Sequence, residues 1–308
     1  MGSAMIQMDN LLNMQAMMLL LALAGILFNK KKIITPEGRR CLTDISINLL
    51  IPCSTLTAFF NAEHEMLGQM TQIMLVSLVI QIGVYLLSKV LFRKMPGPKR
   101  SVMRYGTMVS NAGVLGNPMV EGLYGQAGML LASVFLVPVR LFLWTVGLAC
   151  FAPVDKKQVV RTVLTHPCIT SVFLGIAYLL FPIPLPVFLT KTIAACGSAM
   201  TPVTMLLIGA ILADVDLRTL ISRETLYITF IRLIAIPLAV FLGVTAMGLP
   251  PLTASVSVIL VSMPVATTTV ILAARYDGDY EFATKAVVLT TVLSLVTVPV
   301  WSLLLGYL

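Results

Sequence analysis

The chain has 308 residues, of which 58% are hydrophobic and only 11% are charged, and its mean hydropathy is +0.97. Soluble domains carry roughly 25% charged residues, so this composition excludes an ordinary soluble domain and indicates a protein that crosses a membrane several times. The net charge of +8 lies in short basic clusters between apolar runs. That distribution is typical of membrane loops, so we expect a lipid bilayer and no nucleic acid as partner.

Apolar runs recur along the whole chain at the length that a bilayer requires. A hydrocarbon core about 30 Å thick needs about 20 residues of helix, and on that criterion the sequence predicts ten spans. In chain order they cover residues 11–28, 41–60, 66–92, 101–123, 128–151, 168–181, 187–212, 225–247, 252–274 and 282–305. We therefore predict an all-α integral membrane protein. We expect Asp44, an acid near the start of the second span, to cap that helix.

Basic residues alternate between the loops. The loops after the first, third and fifth spans hold clusters such as Lys30–Lys32, Lys99–Arg100 and Lys156–Lys157, whereas the loops after the second and fourth hold none. Because Lys and Arg are enriched in cytoplasmic loops, this pattern predicts a multi-pass protein of the cell membrane with both termini outside. The alternation also supports the count of ten spans, because a missed span would place two successive basic loops on opposite sides of the membrane.

The two halves of the chain share a spacing. A Val-Ser pair is followed by a tyrosine in each half, and each half carries one mid-span proline at the matching place: Val109, Ser110, Tyr124 and Pro52, then Val261, Ser262, Tyr276 and Pro202. Each half holds five predicted spans, so the second half enters the membrane from the opposite side. The sequence therefore predicts an inverted repeat, with residues 9–152 as the first unit and 159–308 as the second.

The fourth and ninth spans make poor continuous helices. Residues Ser110–Pro118 contain two glycines, two asparagines and a proline, and Pro264 is followed by three threonines at 267–269. Interrupted helices at matching places in two halves indicate a transporter binding site near the middle of the membrane. The alternative is a packing kink with close helix contact, which glycine also favours.

Several motifs resemble a known family. The stretch Asn111-Ala-Gly-Val-Leu-Gly-Asn-Pro-Met-Val-Glu-Gly-Leu-Tyr-Gly125 resembles the fourth-span signature of the auxin efflux carrier family, which includes bacterial malate and malonate permeases. Ser262–Pro264 and the tail Leu289–Trp301 resemble the last two spans of that family, and the likeness covers essentially the whole chain.

The resemblance implies a fold related to that of the bile acid sodium symporters. Spans one, two, six and seven would form a scaffold, and spans three to five and eight to ten a moving transport domain. The broken fourth and ninth spans would cross near the substrate, and homodimers would form through the scaffold. In family terms Asn111 is the crossover asparagine that contacts a carboxylate, and Pro264 is the crossover proline of the ninth span.

This chain also departs from the family. The alignment of its halves places Ala112, and no proline, opposite Pro264. Plant members carry an Asp and a Lys early in the third span, where this chain has Gln69, Thr71 and Gln72. We therefore do not expect auxin as the substrate or a plant-type proton mechanism.

The candidate binding residues gather at the two breaks. The N-terminal end of a half-helix presents free N–H groups and a positive dipole, which suit an anion. The predicted substrate-binding residues are Ser110, Asn111, Gly113, Asn117, Met263, Pro264, Val265, Thr267 and Arg140, and the residues that shape the breaks are Gly116, Pro118, Pro52 and Pro202. Interhelical hydrogen bonding by Asn111, and a plain helix restart at Asn117-Pro118, are the alternatives.

Arg140, Arg232 and Glu121 are charged residues inside predicted spans. A charge at bilayer depth costs roughly 2.5–3.5 kcal/mol on insertion scales and usually serves a function. Arg140 is a candidate counter-charge for a carboxylate, which arginine holds with paired hydrogen bonds. Glu121 and Arg232 are candidate coupling residues. The alternatives are backbone carbonyls as partners for the arginines and a solvated helix end for Glu121.

These features predict a secondary active transporter of small organic anions that works by elevator-type alternating access. We expect H⁺ or Na⁺ coupling, no cofactor and no metal site, because the five cysteines and two histidines are scattered. The same spacing makes an enzyme improbable. The alternatives are a sodium-coupled symporter of the bile-acid-carrier type, a non-transporting receptor of the same fold, and a channel.

Overall fold

The computed structural model describes residues 2–63, 65–151, 161, 164–181, 184–213 and 220–306. These residues form fourteen α-helices and no β-strand. The helices are α1 Gly2–Lys30, α2 Pro36–Ile45, α3 Ile51–Phe60, α4 Met66–Leu91, α5 Gly97–Met108, α6 Asn117–Phe142, α7 Pro167–Leu180, α8 Val187–Ser198, α9 Met200–Leu212, α10 Arg223–Phe230, α11 Ile236–Ala246, α12 Pro251–Val261, α13 Thr268–Arg275 and α14 Tyr280–Leu305.

Within the described residues, six continuous helical stretches are long and apolar enough to cross a membrane. They are Pro36–Phe60, Met66–Leu91, Ala112–Cys150, Val187–Ile211, Arg223–Ala246 and Tyr280–Leu305. Three shorter apolar helices, Ala16–Lys30, Pro167–Leu180 and Pro251–Val261, lie at the places of the first, sixth and ninth predicted spans. The structure thus confirms an all-helical protein with several membrane-spanning helices, and the count of ten stays a prediction.

The start of the second span lies earlier than the sequence suggested. Thr35 is the N-cap of α2, and its Oγ1 accepts a hydrogen bond from the Gly38 N–H at 3.1 Å, with Pro36 at the first helical position. Asp44 lies in the last turn of α2, so the prediction that it caps this helix is wrong. The apolar run begins only at Cys41, whereas the capping residues precede it in a polar segment.

The two matching prolines mark similar joints. Pro52 lies in the first turn of α3, directly after the π-helical turn Ser46–Leu50, and Pro202 lies in the first turn of α9, directly after the joint at Ala199. Proline lacks the N–H that a helix interior needs, so it is tolerated where a helix begins. Both prolines therefore sit where two helical segments meet within one apolar stretch.

The stretch Ala112–Cys150 is a hairpin rather than a single rod. Gly125 has φ 62° and ψ −154°, outside the helical region. A Cβ on Gly128 would lie 3.2 Å from the carbonyl oxygen of Val120, whereas residues eight apart in a straight helix are separated by about 12 Å. The chain therefore reverses at Gly125, where glycine permits a positive φ. This reversal separates the helix that carries Asn117 from the helix that carries Arg140.

Glycines bring one group of helices into backbone contact. A Cβ on Gly209 of α9 would overlap the carbonyl oxygen of Ala22 in α1, and a Cβ on Gly25 would overlap that of Leu206. Gly175 of α7 packs against the ring of Phe59 in α3. Small residues at such contacts let membrane helices approach closely. Through these contacts α1 packs on α9, and α3 packs on α7.

A second group of helices is joined by polar contacts that cross between helices. Ser77 of α4 donates to the carbonyl of Phe135 in α6 at 2.6 Å. Trp301 of α14 donates to the carbonyl of Leu233 at 2.9 Å, within the π-helical turn Ile231–Ala235 that joins α10 to α11. In each bond a side chain of one helix donates to a backbone carbonyl of another helix, in addition to the hydrogen bonds within the helices.

The contact between α1 and α9 gives a direct stability prediction. Gly209→Ala should lower the thermal stability of the detergent-solubilised protein by about 2 kcal/mol or more, because the added methyl group must displace backbone and not a flexible side chain. Fluorescence-detected size-exclusion chromatography after heating measures this. Gly243→Ala in α11 is the matched control, since nothing lies within 4 Å of a Cβ there. Equal stability of the two variants would contradict the backbone contact.

Candidate functional site

Two short extended segments cross near the centre of the helix packing. One is Val109–Asn111, between α5 and the helix that continues into α6, and the other is 264–266, between α12 and α13. The Asn111 N–H donates to the Pro264 carbonyl at 2.8 Å, and the Ala266 N–H donates to the Val109 carbonyl at 3.2 Å. Ser110 and Val265 form an antiparallel bridge between them. Backbone groups that have no helical partner in one break are therefore hydrogen-bonded to backbone groups of the other break. Apolar surroundings require this pairing, because unpaired backbone groups are costly there.

The break in the fourth predicted span occupies only the beginning of the stretch singled out from the sequence. Val109 is extended (φ −113°, ψ 112°), but the backbone is helical again from Ala112, first as the π-helical turn Ala112–Gly116 and then as α6. Asn117 and Pro118 therefore lie within a continuous helical path, and Asn117 is not the residue that restarts the helix. The second break begins after Ser262 and ends at Thr267.

Gly116 allows the two interrupted helices to touch. A Cβ at this position would lie 2.8 Å from Cδ2 of Leu260 and 3.1 Å from Cγ of Met263. Met263 is buried. A larger residue at 116 would therefore have to displace the side chains of Leu260 and Met263. The shaping role of Gly116 stays a prediction.

Arg232 ties the ends of both broken helices together. It lies in the π-helical turn Ile231–Ala235 and is only 3% exposed. Its Nε donates to the Met263 carbonyl at 3.1 Å, and its Nη1 donates to the Thr107 carbonyl at 3.0 Å. Thr107 is in the last turn of α5, and Met263 follows the end of α12, where carbonyl groups lack helical partners and carry negative partial charge. Arg232 thus has the carbonyl partners that we held as the alternative to coupling.

Arg140 is buried beside the start of the other half-helix. It is 8% exposed, and its Nη2 lies 3.6 Å from the position that a Cβ would take on Gly113. No acceptor from the described residues hydrogen-bonds to its guanidinium, and no acid there pairs with it. Arg140 therefore brings a buried positive charge, with no hydrogen-bond or ion-pair partner among the described residues, to the N-terminal end of the helix that begins at Ala112.

His166 adds no second charge to this place. It precedes α7, and its Nδ1 accepts a hydrogen bond from the Cys168 N–H at 3.3 Å. Burial, with a smaller contribution from the positive charge of Arg140, lowers the pKa of His166 to about 4. His166 is therefore neutral at physiological pH. Of the two side chains, Arg140 is the one that carries a positive charge.

The first turn of this half-helix has unused donors. The Asn111 N–H is bonded to Pro264 and the Leu115 N–H to the Asn111 carbonyl, but no hydrogen bond of the described structure uses the N–H groups of Ala112, Gly113 and Val114. The side chain of Asn111 does not cap the helix. The free N–H groups and the guanidinium of Arg140 together make a donor set suited to an anion.

Asn111 lines a small cavity of about 20 Å³ together with Thr267 and Thr291. An adjoining cavity of about 340 Å³ shares Leu115, Ile208 and Thr291 with it and is otherwise mainly apolar, with Met119, Met205 and Met263 in its wall. Both cavities lie between α9 and the crossing. Sequence reasoning missed Ile208, Met205 and Thr291, because nothing in their local pattern distinguishes them from other core residues.

Other predicted site residues have structural surroundings. The Val265 N–H donates to Oγ1 of Thr290 at 3.2 Å, and Ser110 donates to the Leu260 carbonyl at 3.4 Å. Asn117 is 1% exposed, and its Oδ1 is buried without a partner in the described structure. The structure thus brings Ser110, Asn111, Gly113, Pro264, Val265 and Thr267 together at the crossing, with Arg140 alongside Gly113.

Glu121 is not at a solvated helix end. Its Oε1 accepts hydrogen bonds from Ser54 Oγ at 2.7 Å and from Gln126 Nε2 at 3.0 Å, and its Oε2 is 3.3 Å from Oγ1 of Thr201. Ser54 belongs to α3 and Thr201 to α9. Glu121 therefore joins α6 to two helices of the other packing group, a relation that only the neighbouring prolines at 52 and 202 hinted at in the sequence.

Comparison with known proteins shows the family of this chain. The family model described as "Membrane transport protein" matches residues 13–302. The chain belongs to the auxin efflux carrier family of membrane transport proteins. The match runs from the first apolar helix to the last, so both broken helices lie inside it.

Three relatives illustrate the family. An "Uncharacterized transporter" of Methanothermobacter thermautotrophicus is 24% identical over 93% of this chain and 96% of its own length. A protein of Rhizobium meliloti named "Putative malonate transporter" is 29% identical over 72% of this chain and 70% of its own length. The "Uncharacterized transporter YfdV" of Escherichia coli strain K12 is 22% identical over 92% of this chain and 94% of its own length. This chain is thus a multi-pass membrane transporter.

Proposed function

We propose that this protein is a secondary active transporter of small organic anions, with a carboxylate as the recognised group. The observation that carries the proposal is the start of the half-helix at Ala112, where the N–H groups of residues 112–114 and the nearby guanidinium of Arg140 have no hydrogen-bond partner among the described residues. A planar guanidinium binds a carboxylate through two parallel hydrogen bonds, and a helix N-terminus adds favourable dipole. The name of the Rhizobium relative points to the same chemical class.

The proposed architecture is ten spans in two inverted repeats, residues 9–152 and 159–308. The predicted spans one, two, six and seven would form the scaffold, and spans three to five and eight to ten the transport domain. Two observations support this division: the glycine contacts join α1 to α9 and α3 to α7, and the crossing joins α5 and α6 to α12 and α13. The basic loops favour a cell-membrane protein with both termini outside, and the scaffold is the proposed dimer surface.

Alternating access would then move the crossing relative to the scaffold. The cavities between α9 and the crossing lie on the boundary between the two proposed domains. A site on such a boundary opens to either side when one domain slides, which is how transporters with discontinuous helices work. Coupling to H⁺ or Na⁺ is part of the proposal, with Glu121 as the candidate residue for a proton.

Purified protein in proteoliposomes tests the function. Thermal-shift screening of dicarboxylates and aromatic acids identifies a ligand first, because a ligand at a hundredfold excess over its Kd raises the free energy of unfolding by about 2.7 kcal/mol. Saturable counterflow of that ligand is the expected result. A receptor would bind without counterflow, a channel would show no saturation, and a sodium symporter would require sodium.

Asn111→Ala should abolish uptake, leaving the protein folded and inserted. Its backbone bond to Pro264 does not use the side chain, so the crossing should persist, while the amide of a residue that lines the small cavity is lost. Uptake in proteoliposomes and size-exclusion chromatography measure the two effects. Asn48→Ala is the control, because Asn48 is exposed and bonds only within its own helical segment. Normal uptake by Asn111→Ala would remove Asn111 from the site.

A further inference from the structure

The carboxyl group of Glu121 lies where the two helix groups meet. Its partners come from three places: Ser54 on α3, Thr201 on α9, and Gln126 on the far side of the turn at Gly125. The backbones of this region are close as well, because a Cβ on Gly197 of α8 would lie 2.9 Å from Cα of Ser54. Movement of α6 relative to α3 and α9 must break these bonds.

The surroundings of Glu121 contain no described cation that neutralises it. The titratable groups on the helices around it are the thiols of Cys53 on α3 and Cys196 on α8, and the phenol of Tyr124 on its own helix. Lys191 of α8 is exposed and forms no ion pair with it in the described structure. An ionised carboxylate at this half-buried position would therefore have no counter-charge among the described residues.

The hydrogen-bond pattern fits a neutral carboxylic acid. Oε1 has two donors, Ser54 and Gln126, as a carbonyl oxygen can accept two bonds. Oε2 has one neighbour, the hydroxyl of Thr201, which can accept a proton from an acid as readily as it can donate one. One additional proton on Oε2 would donate to Oγ1 of Thr201 and give the carboxylic acid a partner at each oxygen.

We propose that Glu121 is a proton-binding site that holds α6 against α3 and α9, with the proton bound while the helices are in contact and released when Glu121 meets water. Its use for coupling anion movement to protons rests on the proposed function, but proton binding itself does not. Acid should therefore strengthen the contact, and alkaline pH should weaken it. Glutamine at this position supplies an acceptor oxygen and an NH₂ group that can donate to Thr201, and it does not titrate, so it should keep the contact at every pH.

Hydrogen–deuterium exchange of the intact protein in lipid nanodiscs tests the proposal without a substrate. In the unmodified protein, amides of α3 and the start of α9 should exchange several-fold more slowly at about pH 5 than at about pH 8, with labelling times scaled for intrinsic exchange. Glu121→Gln should show the slow rate at both values. Glu63→Gln, which removes an exposed carboxyl group, should behave like the unmodified protein.

Two results would overturn the proposal: no pH response in the unmodified protein, or a pH response that survives in Glu121→Gln. A second measurement addresses coupling. With malonate as the probe, acidification of the vesicle lumen should accompany uptake by the unmodified protein, and Glu121→Gln should exchange malonate without it. If malonate is not carried but the exchange result holds, the proposed substrate class has failed and the proton site stands.

Discussion

Arg140→Gln is expected to remove carboxylate binding without destabilising the protein. Arg140 is buried and makes no hydrogen bond to a described residue, so its replacement by glutamine breaks no hydrogen bond within that part of the chain. A buried charge without a partner is costly, and the ligand-free variant should be as stable as the unmodified protein or more so. The affinity for the carboxylate should fall by about 2–5 kcal/mol, which is roughly thirtyfold or more.

The measurement is a thermal-shift titration with the carboxylate found in the screen, combined with uptake in proteoliposomes. Arg140→Lys keeps the charge but loses the planar pair of donors, so an intermediate affinity is expected. Arg275→Gln removes a positive charge from an exposed position and serves as the control. A ligand-free stability well below that of the unmodified protein would show that Arg140 is a structural residue, and an unchanged affinity would place the anion elsewhere.

Arg232→Gln, unlike Arg140→Gln, should lower the stability of the ligand-free protein. Its guanidinium holds the Thr107 and Met263 carbonyls at 3.0 and 3.1 Å, and so joins the end of α5 to the second break. A hydrogen bond from a charged donor contributes roughly 1.5–3 kcal/mol, and two are lost. We expect the free energy of unfolding to fall by about 3 kcal/mol or more, with uptake lost because the crossing is no longer fixed.

Thermal unfolding of the ligand-free protein in detergent measures this effect. Lysine at 232 cannot reach two carbonyls in the same geometry, so Arg232→Lys should recover only part of the stability. Arg223→Gln is the control, because Arg223 is exposed at the start of α10, where a positive charge is if anything unfavourable. A stable Arg232→Gln variant that binds its anion but does not transport would assign Arg232 to coupling instead.

The tertiary structure distinguishes two arginines that the sequence presents alike. Both lie inside apolar stretches, and the sequence offered each a functional role, with backbone carbonyls as partners as the shared alternative. The structure gives Arg232 two carbonyl acceptors and gives Arg140 none among the described residues. These acceptors come from residues that are distant in the chain, so no local pattern around either arginine could have separated the roles.

The position of the first break is a second feature that the tertiary structure decides. Glycine, asparagine and proline between residues 110 and 118 all weaken a helix, so the sequence predicted an interruption somewhere within the stretch. The non-helical residues are Val109–Asn111, because their backbone groups pair there with residues 264–266. The remaining residues find helical hydrogen bonds, and Asn117 and Pro118 continue the helix.

Composition and periodicity by themselves determined that this is an all-helical membrane protein with weak points in two apolar runs, because the bilayer imposes length and hydrophobicity on every segment separately. The motif around Asn111 and Pro264 determined the family. Only the tertiary structure decided which donors remain free at the crossing, that Glu121 joins two helix groups, and where α2 begins. Those features depend on which buried polar atoms meet across long sequence separations, and that is settled by packing of the whole chain.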